Sequence, residues 1–488
     1  MKKITMLMLI LALFCCFAAA GAAEENNAHA AALAALDGVI SVTPVEVSEP
    51  NWEGNRLRER YLVKFEQPVD WKDPDQGTFS QRVFVGFADG AGMTCCYAGG
   101  YGLPDDLDPE YFQYCDAHVD FTNRYNVNYV ELEYRFFSES APEGLSFDHE
   151  RYWEYMTSEN ACADFHHVIT QLRKVMGGSV IFYGGSKGGY AAENMARCFP
   201  DDADAYVSYG APLCEGTADP RFYRNAYTTI GDQDPRFAET GAAPMRDLVL
   251  RFQLRMLEPE MRNILQPGLM NAVAEKGYHL SPLIAEDEAY EITVAEFAPS
   301  FWQVSQNFDA LETVLAMPEE TADEFSAKVK AVGDVLFSLS PEDTVGYDCV
   351  AAPYYIQSMT EMGNYAIDLS YLREAGAELR TRPEDDATLM LRMCSSLPAG
   401  TLQYSDVCRK RLIEFLSTTE KDLIKIVGLS DPWYAVRAPT SGNGHVHYFE
   451  VADRHRSCIS LMTEEDREAC YALLDAMLGV EQEEAPAA

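Results

Sequence analysis

Apolar residues along this chain fall into two rhythms, short β-branched blocks and longer stretches repeating every three to four positions, and the two alternate. Residues 179–183 (SVIFY) and 424–428 (IKIVG) are short, mainly apolar runs with β-branched residues, the pattern of strands buried on both faces of a parallel sheet. Residues 61–65 and 79–87 alternate apolar with polar positions and predict the first core strands; 127–134, 205–208 and 446–451 add three more. Between them, residues 160–176 set Ala161, Phe165, Val168, Ile169, Leu172, Val175 and Met176 on one face of a helix. Residues 190–198 predict a second helix, and 463–478 an amphipathic terminal one, with Thr463 as N-cap and Asp466 three residues on. Strands alternating with helices predict an α/β fold, a mostly parallel sheet flanked by helices. The interval 215–419 breaks that alternation. Its patterns are helical, at 243–256, 295–317, 322–339 and 386–394, and aromatics such as Phe301, Trp302, Phe308, Tyr347, Tyr354 and Tyr355 are frequent. It reads as a large inserted helical cap that splits the core into 24–214 and 420–480, with an acidic tail at 481–488.

The run at 179–183 leads directly into Gly184-Gly185-Ser186-Lys187-Gly188-Gly189. Strand, G-x-S-x-G and helix in that order describe the nucleophile elbow of an α/β-hydrolase core, a sharp turn that leaves the serine oxygen exposed above the sheet. In that fold an acid and then a histidine follow the serine along the chain. Asp431 stands in Leu429-Ser430-Asp431-Pro432-Trp433, at the C-terminal end of the 424–428 strand, where open α/β sheets build their sites. His455 stands in the exit loop of the next strand. His447 falls inside that strand and His445 in the Gly-rich hairpin before it, while Asp453 is too close to His455 to occupy a separate strand end. The candidate triad is therefore Ser186, Asp431 and His455: serine needs a base to take its proton, and the imidazole needs a carboxylate to fix its tautomer. The oxyanion hole requires two backbone N–H groups, that of Lys187 and one from Gly100 or Tyr101 in the Gly-rich 99–101 loop; the Lys187 side chain is expected to face solvent. His166 and His167 read as packed or solvent-facing positions on the 160–176 helix, and Glu133 with Arg135 as a structural ion pair on one strand.

Beyond the triad, six ordered segments resemble secreted tripeptidyl and prolyl aminopeptidases, α/β-hydrolase serine peptidases related to lysosomal Pro-Xaa carboxypeptidases. They are Gln67-Pro68-Val69-Asp70-Trp71 with Thr78-Phe79-Ser80-Gln81-Arg82-Val83; Gly99-Gly100-Tyr101-Gly102-Leu103; Glu133-Tyr134-Arg135-Phe136-Phe137 with Ser140; the helix of Asp164, His166 and His167 leading to GGSKGG; Asp431-Pro432-Trp433; and His455. Together they span about 61–213 and 421–478, with departures at Cys95-Cys96-Tyr97-Ala98 and in the Val451-Ala452-Asp453-Arg454 loop. The resemblance implies a serine peptidase that releases short peptides from free N-termini. Recognition of a free α-amino group calls for a carboxylate near the nucleophile, and Glu133 and Glu215 are the candidates close to core strand ends. An esterase using the same triad, or an inactive peptide-binding protein of this fold, are the competing readings.

Charge and cysteines narrow the partners. A formal net charge of −39 disfavours nucleic acid and anionic lipid and suits short peptides or protein N-termini with a cationic end. No His/Cys cluster has metal spacing, and neither metal nor cofactor is expected. Met1-Lys2-Lys3, an apolar run and Ala20-Gly21-Ala22 before Glu24-Glu25 read as a secretory signal over 1–23, giving an exported or cell-envelope protein without a stable membrane anchor. Cys15 and Cys16 raise lipidation, but Leu13-Phe14 places a bulky residue where a small one is needed. Of the 13 cysteines, Cys95 and Cys96 read as small buried hydrophobes.

Overall fold

Nine strands assemble into one sheet in the order β1-β2-β3-β5-β4-β6-β7-β8-β9. The computed structural model describes residues 28–45, 57–104, 120–122, 124–145, 151–339, 352–394 and 402–480, so the signal expected over 1–23 and the tail over 481–488 lie outside the described residues. The antiparallel edge is β1 (Val39–Pro44), β2 (Leu57–Pro68) and β3 (Thr78–Ala88), and β3 pairs antiparallel with β5 (Val127–Leu132). From β5 onward every pairing is parallel, through β4 (Met93–Ala98), β6 (Ser179–Gly185), β7 (Ala205–Tyr209), β8 (Leu423–Gly428) and β9 (Val446–Val451). All six residues of β5 and of β8 are buried, as strands covered on both faces must be, and their polar Asn128, Glu131 and Lys425 are hydrogen-bonded inside.

Helix α1 (Ser158–Met176) and helix α2 (Lys187–Cys198) pack together on one side of the sheet. Terminal helix α3 (Glu464–Leu478) is capped by Thr463, whose side chain accepts the Asp466 amide. Between β7 and β8 every element longer than a single bridge among the described residues is helical, including Ala243–Leu257, Pro259–Glu275 and Ala322–Leu339. The cap has its own apolar core, built on Phe252, Met256, Tyr290, Phe297 and Phe301, and joins the main domain through Phe222, Tyr365 and Trp433.

The helix expected over 295–317 is broken. It runs Glu286–Ser300, loosens into a π turn at Phe301–Ser305, reverses at Gln306 (φ 53°) and resumes at Phe308–Ala316. Pro299 removes one helical N–H, and the π turn absorbs the mismatch.

Three of the quoted segments meet away from any chemistry. Arg135 leaves β5 and reaches Asp164 on α1 through two hydrogen bonds of 2.7 and 2.9 Å, while also donating to the carbonyls of Pro68, Val69 and Tyr155. Asp164 accepts from Trp71 Nε1 as well, at 2.7 Å. Both charges are fully buried, and burial raises the Asp164 pKa against the pull of Arg135. Asp164→Asn leaves a guanidinium in the interior without its counter-charge, so urea unfolding should show a loss of about 3–5 kcal/mol; a loss under about 1 kcal/mol would mean the pair is not structural.

Candidate active site

At the end of β6 the backbone turns so sharply that Ser186 takes φ 55° and ψ −122°, a conformation rarely adopted by a residue with a side chain. Its N–H donates to the Tyr209 carbonyl at 2.8 Å, which ties the elbow to the end of β7, and α2 begins at Lys187. The glycines permit this because the turn has no room: a Cβ at Gly188 would collide with the Ala98 carbonyl oxygen, and one at Gly100 would lie 2.6 Å from the Gly188 nitrogen. The 99–101 loop is thereby pressed against the start of the nucleophile helix, where first-turn amides have no intrahelical acceptor and the helix dipole favours negative charge.

Asp431 caps the 3₁₀ turn Pro432–Val436 after β8. One carboxylate oxygen accepts the Trp433 amide at 3.1 Å, and the other lies 2.6 Å from His455 Nδ1. The acid is 1% exposed, and His455 retains partial exposure. His455 packs over Gly210, where a Cβ would stand 3.1 Å from Cε1, and the Gly210 amide is fastened to Ile426 of β8. Ser186 is tied to Tyr209 and His455 rests on Gly210, so the serine, acid and histidine converge at the C-terminal ends of β6 to β9. The rival histidines lie elsewhere: His445 and His447 both face Asp422, and Asp453 pairs with Arg236. His166 and His167 are packed on α1 against Asp202 and Gln67.

Two expectations are corrected, for Glu133 and for the Lys187 side chain. Glu133 does not pair with Arg135 and is not open to substrate. The chain leaves β5 at Leu132, and the fully buried Glu133 carboxylate is filled by Arg82 Nε at 2.7 Å, the Leu103 amide at 2.7 Å and the Ser140 hydroxyl. Its role is to brace the end of the 99–103 loop. Glu215, well exposed, is engaged by Arg409 at 2.9 Å with Arg221 at 3.9 Å, and no described contact brings it to Ser186. The Lys187 side chain is buried among aromatic rings and does not face solvent.

The cap supports the triad loops through the π turn. Trp433 Nε1 donates to Gln303 Oε1 at 3.3 Å, Gln306 Nε2 donates to the Ser430 carbonyl at 3.3 Å, and Arg454 Nη1 donates to the Ser305 carbonyl at 2.9 Å. These residues brace the neighbours of Asp431 and His455; the only hint of them in the sequence is Pro299 followed by the turn-prone Gln306-Asn307. A cavity of about 1010 Å³ lies beside α1, lined among others by Trp153, Glu159, Glu361, Cys408 and Arg411, but none of Ser186, Asp431 and His455 borders it. Among the described residues no His/Cys/Asp/Glu group could hold a metal, and no helix is long and apolar enough to cross a membrane.

The mostly parallel sheet, the strained serine after β6, the acid after β8 and the histidine after β9 define an α/β-hydrolase. The profile of the PS-10 peptidase S37 family matches residues 28–449, and the chain belongs to that family. It is 25% identical over 366 residues to a prolyl tri/tetrapeptidyl aminopeptidase of Streptomyces mobaraensis, a match covering 71% of this chain and 66% of that protein. It is 30% identical over 166 residues to a lysosomal Pro-X carboxypeptidase of Mus musculus, covering 32% and 33%. The chain thus spans just under two thirds of the first relative and a third of the second. Among solved structures, a proline iminopeptidase of Mycobacterium smegmatis shares 12% identity at a TM-score of 0.37, covering 85% of this chain and 98% of that one.

Proposed function

We propose that this chain is an exported serine peptidase that releases short peptides, tripeptides or proline-containing ones, from free N-termini. The observation that carries the reading is the 2.6 Å contact between His455 Nδ1 and Asp431, set beside the strained Ser186 turn. With Nδ1 committed to the carboxylate, Nε2 is the nitrogen left to take the Ser186 proton as Oγ attacks the scissile carbonyl. The carbonyl oxygen gains negative charge, and the Lys187 amide with that of Gly100 or Tyr101 receives it. His455 then gives the proton to the departing amine as the C–N bond breaks, leaving the N-terminal peptide as an ester on Ser186. Water, deprotonated by the same imidazole, hydrolyses that ester and frees the serine. The cap would limit access to short or unfolded chain ends. Removal of peptides from N-termini is supported by the name of the Streptomyces relative, and export by the sequence over 1–23.

The test is mass analysis of products from matched free and N-acetylated peptides. If the α-ammonium is recognised, acetylation should lower kcat/KM by roughly two orders of magnitude, about 1.4 kcal/mol per decade. Equal cleavage of both would reject the aminopeptidase reading. Turnover of nitrophenyl esters with no peptide cleavage would instead identify an esterase.

A further inference from the structure

Lys187 opens the nucleophile helix, yet its side chain does not reach water: the residue is 1% exposed. Its Nζ lies 2.9 Å from the centre of the Tyr134 ring, 5.1 Å from that of Phe137 and 5.9 Å from that of Tyr101. No described residue accepts a hydrogen bond from it. Burial pulls its pKa well below the ordinary lysine value, and the Glu361 carboxylate on the cap acts against that pull. A strongly polar group stripped of water without an acceptor destabilises the fold, and leucine or methionine would fill the space without that cost. What the side chain touches supplies the reason for it.

All three rings belong to the loop offering the second oxyanion donor or to the turn anchoring that loop. The Tyr134 amide donates to the Tyr101 carbonyl at 3.0 Å, the Phe137 amide donates to the Tyr134 carbonyl at 3.3 Å, and the rings of Tyr101 and Phe137 meet edge to face at 5.8 Å. Aromatic faces attract an ammonium, most strongly where water is excluded, and the N–H bonds of the neutral amine that burial favours also point favourably at a ring face. We propose that the Lys187 side chain is a positioning residue for the oxyanion hole: by gathering Tyr134, Phe137 and Tyr101 around Nζ, it holds the Gly100–Tyr101 backbone against the first amides of α2. The inference rests on Ser186 being the nucleophile and goes beyond that reading, which uses only the Lys187 amide. One residue then serves the oxyanion twice, directly through its N–H and indirectly by fixing where the opposing donor stands.

The experiment compares wild type with Lys187→Met, similar in length and uncharged, by three readouts: the second-order rate of labelling by a fluorophosphonate, kcat and KM on a peptide anilide, and Tm. The phosphoryl oxygen of the probe occupies the oxyanion position, so its rate reports donor placement. Labelling and kcat should each fall about tenfold or more per active site, a share of the 10²–10³ lost with a whole donor, while KM stays within about threefold. Tm should hold or rise, because the unsatisfied amine is gone. A merely structural role would lower Tm and the titratable fraction, leaving the rate per titrated site unchanged. Wild-type rates per site, or a rate loss matched by a fall in Tm, would overturn the inference. Should Lys187→Met fail to fold, Tyr101→Leu carries the test, since Tyr101 is 36% exposed and keeps its backbone amide. It should slow labelling several-fold, and an unchanged rate overturns the inference. No labelling of wild type would overturn the nucleophile reading and this one with it, whereas normal labelling of Lys187→Met overturns this one alone.

Discussion

Ser186→Ala should lower kcat for peptide hydrolysis by about 10⁴ to 10⁶ while leaving the far-UV spectrum and melting temperature of wild type. The size of the effect follows from its chemistry: without Oγ no covalent intermediate can form, and only the oxyanion donors and substrate binding remain to assist water. The fold should tolerate the change because the turn is shaped by its neighbours. Alanine keeps the Cβ that already occupies φ 55°, and the backbone bonds to Tyr209 and Tyr190 do not involve the hydroxyl. The check is steady-state turnover together with fluorophosphonate labelling. Residual cleavage above about one part in a thousand of wild type would remove Ser186 from the mechanism.

His455→Ala should be as damaging as the serine variant, since nucleophile and base act as one unit and losing either disables both. Its control lies in the two other histidines of the same region. His445 and His447 share Asp422, so alanine at either should leave kcat within about threefold of wild type, a surface ion pair being of small consequence. If His447→Ala were inactive and His455→Ala active, the base would have been misassigned, and the 2.6 Å contact with Asp431 would need another explanation.

What could be read from the sequence is what short-range patterning encodes. The elbow announced itself because a strand, three spaced glycines and a helix are local, and no other residue fits where a Cβ at Gly188 would strike Ala98. The β8 and β9 runs were legible for the same reason, and with them the loops that carry Asp431 and His455. Partners across the sheet were not. Glu133 looks like a match for Arg135 two residues away, but the strand ends at Leu132, before both; β3 delivers Arg82 to one while α1 delivers Asp164 to the other. Lys187 was misplaced because lysine ordinarily seeks water, and only tertiary packing assembles three rings from two separate segments around it. The π turn at Phe301–Ser305 was hidden inside a largely apolar helical pattern whose one local sign is Pro299, and its contacts with the Ser430–Trp433 and Arg454 loops are tertiary.

The position of the cap in the chain also sets when the enzyme can be assembled. β8 lies between β7 and β9, and its Lys425 forms a fully buried ion pair with Glu193 of the nucleophile helix, 232 residues earlier in the sequence. During synthesis the serine elbow therefore emerges complete, followed by the whole cap, while the strands bearing acid and base are still unmade. The growing chain carries a serine elbow without the acid and base that would activate it. Until β8 docks, β7 has an unpaired edge and α2 holds a carboxylate without its lysine, so a chain stopped within the cap should be an aggregation-prone client for chaperones. Closing so long an interval makes that docking a slow step of folding.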